Sequence, residues 1–345
     1  MKVLRYTAPR KAEIIEAPTP RPTGSQVLAR SLHCSVSAGT EMGFYRGTAP
    51  QLDLVMEGTF NFEEKRGAIG YPMRSDGPGV WWMGYSNVAE VVETGPEARK
   101  LRKGDIVFSK SGHKTHQLLN EDAALKVTPS GSPAPFALTA LVEIALNAVL
   151  DAGLVLGGTV AVSGLGTLGQ LLLQMARASG CRTIGVDRLE NRLSLASSQA
   201  ADIVLDFTRE EPAARVYRET DGRGADAVFE VSGSEGALGN AIRMASYNGT
   251  VIVVSFYQAA SASLYMGREF HHKRTRLVSS QIGAINPLLS PTWSPRRRLA
   301  TAVSLVERMS LEPLVSHRVA FEDLPDMLAL IDEHPSACNA VIVDY

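Results

Sequence analysis

Apolar and polar residues alternate in short runs through residues 1–125, the two-residue period of strands with one buried face. Residues 2–6 and 12–16 predict a hairpin, and 27–35 a longer strand. Strands at 87–94 and 105–109 follow, with Gly95-Pro96 and Lys103-Gly104 as turns. Residues 47–84 break the pattern: they are rich in Gly, Pro and aromatics, and a loop this long in a compact domain is usually functional or mobile. Trp81 and Trp82, in this stretch, suit a pocket wall, a core cover or a partner contact alike. After the composition break at residues 129–133 the period changes. Residues 134–152 have helical spacing. Strands at 159–163, 183–186, 202–205, 227–231 and 250–255 then alternate with helices at 170–179, 192–201, 212–220 and 236–245. That alternation predicts an α/β fold with a doubly wound parallel sheet, its right-handed crossovers placing helices on both faces. Beyond residue 285, Pro287, Pro291 and Pro295 end the alternation. Arg296-Arg297-Arg298 then opens a helix to about residue 309, as a solvated helix start. A helix to residue 331 and a strand at 340–343 close the chain.

The most informative stretch is 158–188, which is patterned strand, turn, helix, strand. Its turn, Gly164-Leu165-Gly166-Thr167-Leu168-Gly169, is a GxGxxG in full context. The first Gly permits a tight turn, the second lets a pyrophosphate reach the backbone, and the third lets helix pack on strand. The helix N-terminus offers N–H groups and a positive dipole end to the phosphates. Asp187 ends the second strand, at about the 20-residue distance where an acidic residue binds the adenosine ribose hydroxyls. A carboxylate there repels a 2′-phosphate, so NAD is expected, with NADP as the alternative if Arg188 beside it softens the preference. Arg192 is placed to flank the adenine. The strand ends at Ser163, Asp187, Ser232-Gly233 and Ser255 should gather at the sheet edge where ligands bind.

Composition narrows the classes. The 345 residues suffice for about two domains. A net charge of −1 points to neither nucleic acid nor an anionic membrane. Cys34, Cys181 and Cys338 are too scattered for a disulfide framework or a metal knuckle. No signal peptide is evident, and unbroken apolar runs fall short of the ~18 residues of a membrane span. A cytoplasmic protein is expected. His113 and His116 follow a strand and a turn and need not share a face. His271 and His272, read as strand neighbours, would point to opposite faces. Neither pair is expected to hold a metal.

Together with Gly164–Gly169, several motifs resemble those of the medium-chain dehydrogenase/reductase superfamily: Ser37-Ala-Gly-Thr-Glu41, the Gly84 to Gly95 stretch, Gly104-Asp-Ile-Val107, and Asp221-Gly-Arg-Gly-Ala-Asp226 leading to Ser232-Gly233. The likeness covers essentially the whole chain. It implies a GroES-like β-rich catalytic domain at 1–125 and 286–345, a Rossmann coenzyme domain at 126–285, and an active-site cleft where the nicotinamide emerges. Members are commonly dimers or tetramers, so a homodimer or homotetramer is expected. Zinc members hold their ion by the Cys of a CG(S/T)D motif, the His of a GHE motif, and an acid or Cys before the coenzyme domain. Here these places fall to Ala38, Tyr85 with Ser86, and Glu143, and the four-Cys structural zinc segment is missing. A catalytic zinc needs three protein ligands and an open position, so no zinc is expected. The motif set is similar to a zinc-free branch that includes bacteriochlorophyllide hydroxyethyl dehydrogenases.

What this implies is a zinc-independent dehydrogenase interconverting a secondary alcohol and its ketone, the substrate a polyol, sugar or cyclitol, or something bulkier. The alternatives are an enone- or quinone-type C=C reductase and a non-catalytic coenzyme-binding protein. Without zinc, the substrate oxygen needs another hydrogen-bond donor and its proton another acceptor. Tyr85 is the candidate donor, or a filler of the empty ligand place. Glu143 is the candidate base, or polarises Tyr85, or pairs with an Arg. Thr40 matches the hydroxyl of the family's proton relay. Glu41 either joins it or holds the loop's backbone N–H groups. His271 could replace the missing relay His.

Overall fold

The computed structural model describes the backbone of all residues except 53, 58–60, 65–69, 78–82 and 258–263, and the side chains of those described except in 54–57 and 61–64. The chain divides into two compact units, Met1–Ala140 with Val315–Tyr345, and Leu141–Leu314. These divisions fall later than the bounds near 125 and 286 that the resemblance implies. Residues 134–138 stay with the first unit, where Ser86 Oγ donates to the carbonyl of Ala137. The helix after Pro295 stays with the second, held there by Arg298.

The chain enters the first unit through strands β1 (Lys2–Ala8), β2 (Lys11–Glu16) and β3 (Gln26–Ser35), then helix α1 (Thr40–Arg46). Strands β4 (Leu54–Glu57), β5 (Asn61–Glu64), β6 (Met73–Arg74), β7 (Asn87–Thr94), β8 (Ile106–Ser109), β9 (His116–Asn120) and β10 (Ala124–Lys126) follow. β1 pairs antiparallel with β2, as the hairpin pattern predicts, and with β6. β3 is the spine of the larger sheet, paired to β7 and β9 and to a returning strand near the chain's end. Its fully buried positions, Val27 and Ala29, lie in one apolar core with Ala89, Val91 and Val107. A second core gathers Leu4, Tyr6, Met42, Phe44 and Met83.

The second unit opens on helix α2 (Thr139–Ala152) and runs β11 (Thr159–Ser163), α3 (Thr167–Ala178), β12 (Arg182–Asp187), α4 (Glu190–Gln199) and β13 (Ile203–Asp206). It continues through α5 (Pro212–Glu219), β14 (Ala225–Glu230), α6 (Glu235–Met244), β15 (Ala245–Val253), β16 (Arg276–Ser279) and α7 (Pro295–Val306). Its sheet has the order β13-β12-β11-β14-β15-β16, parallel throughout. This is the dinucleotide-binding order, reversing direction beside β11. Strands buried on both faces read as unbroken apolar runs, and every residue of β11 is buried. The chain then returns to the first unit as β17 (Val315–Ala320), α8 (Leu324–Glu333) and β18 (Ala340–Asp344), with β18 antiparallel to β3.

Residues Ala134–Ala152 form one 19-residue helical stretch, long and apolar enough by length and composition to cross a membrane, although its unbroken apolar runs are short. Polar Thr139, Glu143 and Asn147 hide the length from a run count, and burial of 67% of the stretch marks it as a core helix. His271 and His272 are not strand neighbours. They follow the helical turn Met266–Phe270, both exposed, with rings edge to face at 5.4 Å. Trp81 and Trp82 lie outside the described residues, as does much of the aperiodic 47–84 stretch.

Candidate active site and coenzyme site

The coenzyme half is built on the level strand ends of the second sheet. Register sets Ser163 opposite Val186 on one side and Glu230 on the other, with Val253 opposite Glu230. The Gly-rich turn leaves β11 at this edge. Gly164 has φ +99, and a Cβ there would stand 2.8 Å from the Ser232 nitrogen. A Cβ on Gly169 would stand 1.9 Å from the Gly164 carbonyl oxygen, so helix and turn touch backbone to backbone. Gly166 is different: the nearest atom to a Cβ there is a guanidinium nitrogen of Arg192, 3.8 Å away. Gly166 also caps α3 with no side-chain hydrogen bond. Thr167 and Leu168 open that helix. Two glycines thus serve packing and one keeps space before a helix N-terminus, which is the cradle a pyrophosphate needs. The residues present fit a dinucleotide.

Asp187 is nearly buried. Its carboxylate accepts from the backbone N–H groups of Leu165 (2.7 Å), Arg188 (2.7 Å) and Leu189 (3.0 Å), and Arg192 lies 3.9 Å away. It holds the Gly-rich turn to the next strand. Ser232, Gly233 and Ser255 are brought together: Gly233 N–H donates to Ser255 Oγ at 2.8 Å. Sequence reasoning missed the group that organises them. Glu230, fully buried, accepts from Ser232 N–H (2.8 Å) and Oγ (2.5 Å) through one oxygen and from the Tyr257 hydroxyl through the other. Burial and this carboxylate push the Tyr257 phenol far above its ordinary range. The available signal was a Glu ending an otherwise apolar strand run.

Glu143 lies on α2, 1% exposed, with Oε1 accepting from Arg298 Nε at 3.1 Å. Arg298 is buried too, and donates further to Asn147 Oδ1 (2.5 Å) and to the carbonyls of Ala284 (3.0 Å) and Ile282 (2.6 Å). The third arginine of the run is therefore a core cation, contrary to the solvated helix start expected of it. Arg297 keeps to the surface, stacked on Trp293 at 4.4 Å.

In the first unit the loop from β3 into α1 presents Ala38 and Gly39 to solvent, with Thr40 half-buried. Tyr85, half-buried, donates from its hydroxyl to Ser37 Oγ at 2.7 Å and also bonds Thr40. Burial outweighs these bonds and pushes the phenol up to about 12, so it stays protonated near neutrality. Glu41, 1% exposed, accepts from Ser37 N–H at 2.8 Å through Oε1 and pairs through Oε2 with His113 Nε2 at 2.7 Å. His271 is in the second unit, at its surface. The places that would hold zinc do not fit it. Ala38 has no donor atom, the Tyr85 hydroxyl is bonded to Ser37, Ser86 Oγ to a carbonyl, and Glu143 to a guanidinium. Among the described residues no group of three or more His, Cys, Asp or Glu is placed to bind a metal ion.

A six-stranded dinucleotide-binding sheet joined in sequence to a β-rich unit of this connectivity defines an alcohol-dehydrogenase-like oxidoreductase. The family described as zinc-binding dehydrogenase matches residues 167–299. D-guloside 3-dehydrogenase of Escherichia coli (strain K12) is 28% identical over 347 aligned positions, covering 97% of each chain. L-threonine 3-dehydrogenase of Bacillus licheniformis is 36% identical over 62% of this chain and 59% of its own. The crystal structure of 2R,3R-butanediol dehydrogenase from Bacillus subtilis superposes with a TM-score of 0.80 at 20% identity, over 100% of this chain and 99% of that one. Residues 167–299 match the zinc-binding dehydrogenase family, and the whole chain is similar to a dehydrogenase and shares the fold of medium-chain dehydrogenases.

Proposed function

We propose that this protein is a zinc-independent, NAD-linked dehydrogenase that interconverts a secondary alcohol of the sugar or polyol class and its ketone. The observation that carries this reading is the Tyr85–Ser37–Thr40 hydroxyl cluster at the place where zinc members of the superfamily hold their ion. A bound nicotinamide supplies the acceptor or donor of hydride. Tyr85 supplies what zinc otherwise would: its protonated hydroxyl turns from Ser37 Oγ to donate to the substrate oxygen, more strongly toward an alkoxide than toward a ketone. In the oxidising direction the carbinol C–H bond breaks with its electron pair leaving as hydride. The hydroxyl proton passes through the half-buried Thr40 hydroxyl to water. Glu143, tied to Arg298, and Glu41, tied to His113, hold structure and take no proton. His271 has no part in this relay. Asp187, ending the second strand of the coenzyme motif, supports NAD over NADP, since a carboxylate at that place in the motif repels a 2′-phosphate. The 97% coverage of D-guloside 3-dehydrogenase supports a sugar-like substrate. A cytoplasmic homodimer or homotetramer belongs to the same proposal.

The test is to offer purified protein NAD and NADP with panels of glycosides, polyols, cyclic ketones and enones, measuring bound metal alongside. Expected are turnover of a glycoside or polyol with NAD, unchanged by chelator, and Tyr85→Phe slower by about 10²-fold or more. Stoichiometric zinc, or turnover of enones alone, would overturn the reading.

A further inference from the structure

His113 is a buried, hydrogen-bonded side chain of the first unit that the mechanism above does not use. Its ring is fully buried between two partners: Nε2 meets Glu41 Oε2 at 2.7 Å, and Nδ1 meets Cys34 Sγ at 2.8 Å. Cys34 in turn meets the Tyr345 hydroxyl at 3.2 Å. The backbone of His113 is fully hydrogen-bonded as well. The N–H donates to Met83 O at 3.0 Å, and the carbonyl accepts from Leu4 N–H and Ser75 Oγ. Gly84, at φ +103, lies against it so closely that a Cβ there would stand 2.9 Å from the ring.

These contacts close a circuit. From the His113 backbone it runs to Met83, through Gly84 to Tyr85, from the Tyr85 hydroxyl to Ser37 Oγ, from Ser37 N–H to Glu41, and from Glu41 back to the His113 ring. Every step is a hydrogen bond or a peptide link. A buried ion pair is weak evidence for stability, since apolar side chains of like volume often do as well. What the pair adds here is direction. Glu41 has one oxygen on the imidazole and the other on Ser37, so the ring sets the carboxylate and the carboxylate sets the serine. Burial pushes the imidazole down, but the Cys34 and Glu41 contacts outweigh it and hold it well above its ordinary range. We infer that His113 is a positioning residue which, through Glu41 and Ser37, aims the Tyr85 hydroxyl.

This inference rests on the proposed role of Tyr85, and its test needs no substrate. The full chain is labelled with [13Cζ]tyrosine and the Tyr85 resonance assigned with Tyr85→Phe. His113→Gln is then compared with its parent in two backgrounds, native and Ser37→Ala. The expected result is a Tyr85 resonance displaced by His113→Gln in the native background and unmoved by it in Ser37→Ala, because the path is already cut. Tyr217, in the other unit, serves as the unmoved reference. An undisplaced Tyr85 resonance, or equal displacement in both backgrounds, overturns the inference. If His113→Gln does not fold, Glu41→Gln, which removes the charge while keeping the volume, carries the same comparison. A displaced resonance alongside full turnover by Tyr85→Phe would instead fault the catalytic reading and leave the positioning intact.

Discussion

Arg298 shows what one residue does once it is turned inward. It is third in a run of three arginines, yet only 2% of its side chain is exposed, and it neutralises Glu143 across 155 positions of sequence. Helical rotation of about 100° per residue separates it from Arg297, which stays outside. Removing one partner of a buried pair leaves a charge uncompensated, so Arg298→Met is expected to cost about 3–5 kcal/mol in urea unfolding. Arg298→Met combined with Glu143→Leu should recover most of that loss. Equal losses in the single and double variants would show that Arg298 acts through its carbonyl partners at Ile282 and Ala284 instead. A basic cluster in sequence carries no mark of which member faces the core.

At the scale of elements, the turn from β11 into α3 was legible because its spacing is local. Strand, glycines and helix are consecutive, and each glycine's need is set within a few residues. The structure separates their duties. Gly169→Ala would gain up to about 1 kcal/mol of helix propensity, but its Cβ meets a carbonyl oxygen at 1.9 Å, so the variant should lose both stability and NAD affinity. Gly166→Ala meets only a distant Arg192 atom, so it should keep the parent melting temperature and lose NAD affinity by about tenfold or more. Thermal melts with fluorescence titration distinguish the two, and unchanged affinity in Gly166→Ala would remove the pyrophosphate from that space. Helix α1 was not legible: it spans seven residues, too few for a periodic signal, and its sequence reads as a loop motif. Strands β9, β16 and β17 also lie outside the predicted elements.

For the whole molecule, acid and base should act on different groups. Burial pushes the carboxyls of Asp332 and Asp344 up, but Arg46 with Arg10, and Arg318 with His33, outweigh it and hold both below the ordinary range. Depressed folded values give stability that is present above the unfolded value, ~3.9, and lost as pH falls through the folded ones. His113 has the opposite sign: raised in the fold, it contributes fully below ~6.5 and loses that contribution as pH rises through its higher folded value. Urea midpoints should therefore hold between about pH 5 and 6.5, then fall on both sides. A midpoint that rises from pH 5 to pH 3 would contradict the carboxylate assignments.

By itself the sequence determined the doubly wound sheet, the coenzyme turn and the likeness to medium-chain dehydrogenases, because periodicity, glycine spacing and short motifs are properties of neighbouring residues. The resemblance further implies that Ala38 and Tyr85 fall at the places of metal ligands. Tertiary structure alone decided what the ionisable side chains do. Glu41 faces His113, Glu143 faces Arg298, Glu230 ties Ser232 to Tyr257, and Asp187 holds the glycine turn. A buried charge needs a partner, and that partner is chosen by proximity in the fold, as far as 155 residues away along the chain for Glu143.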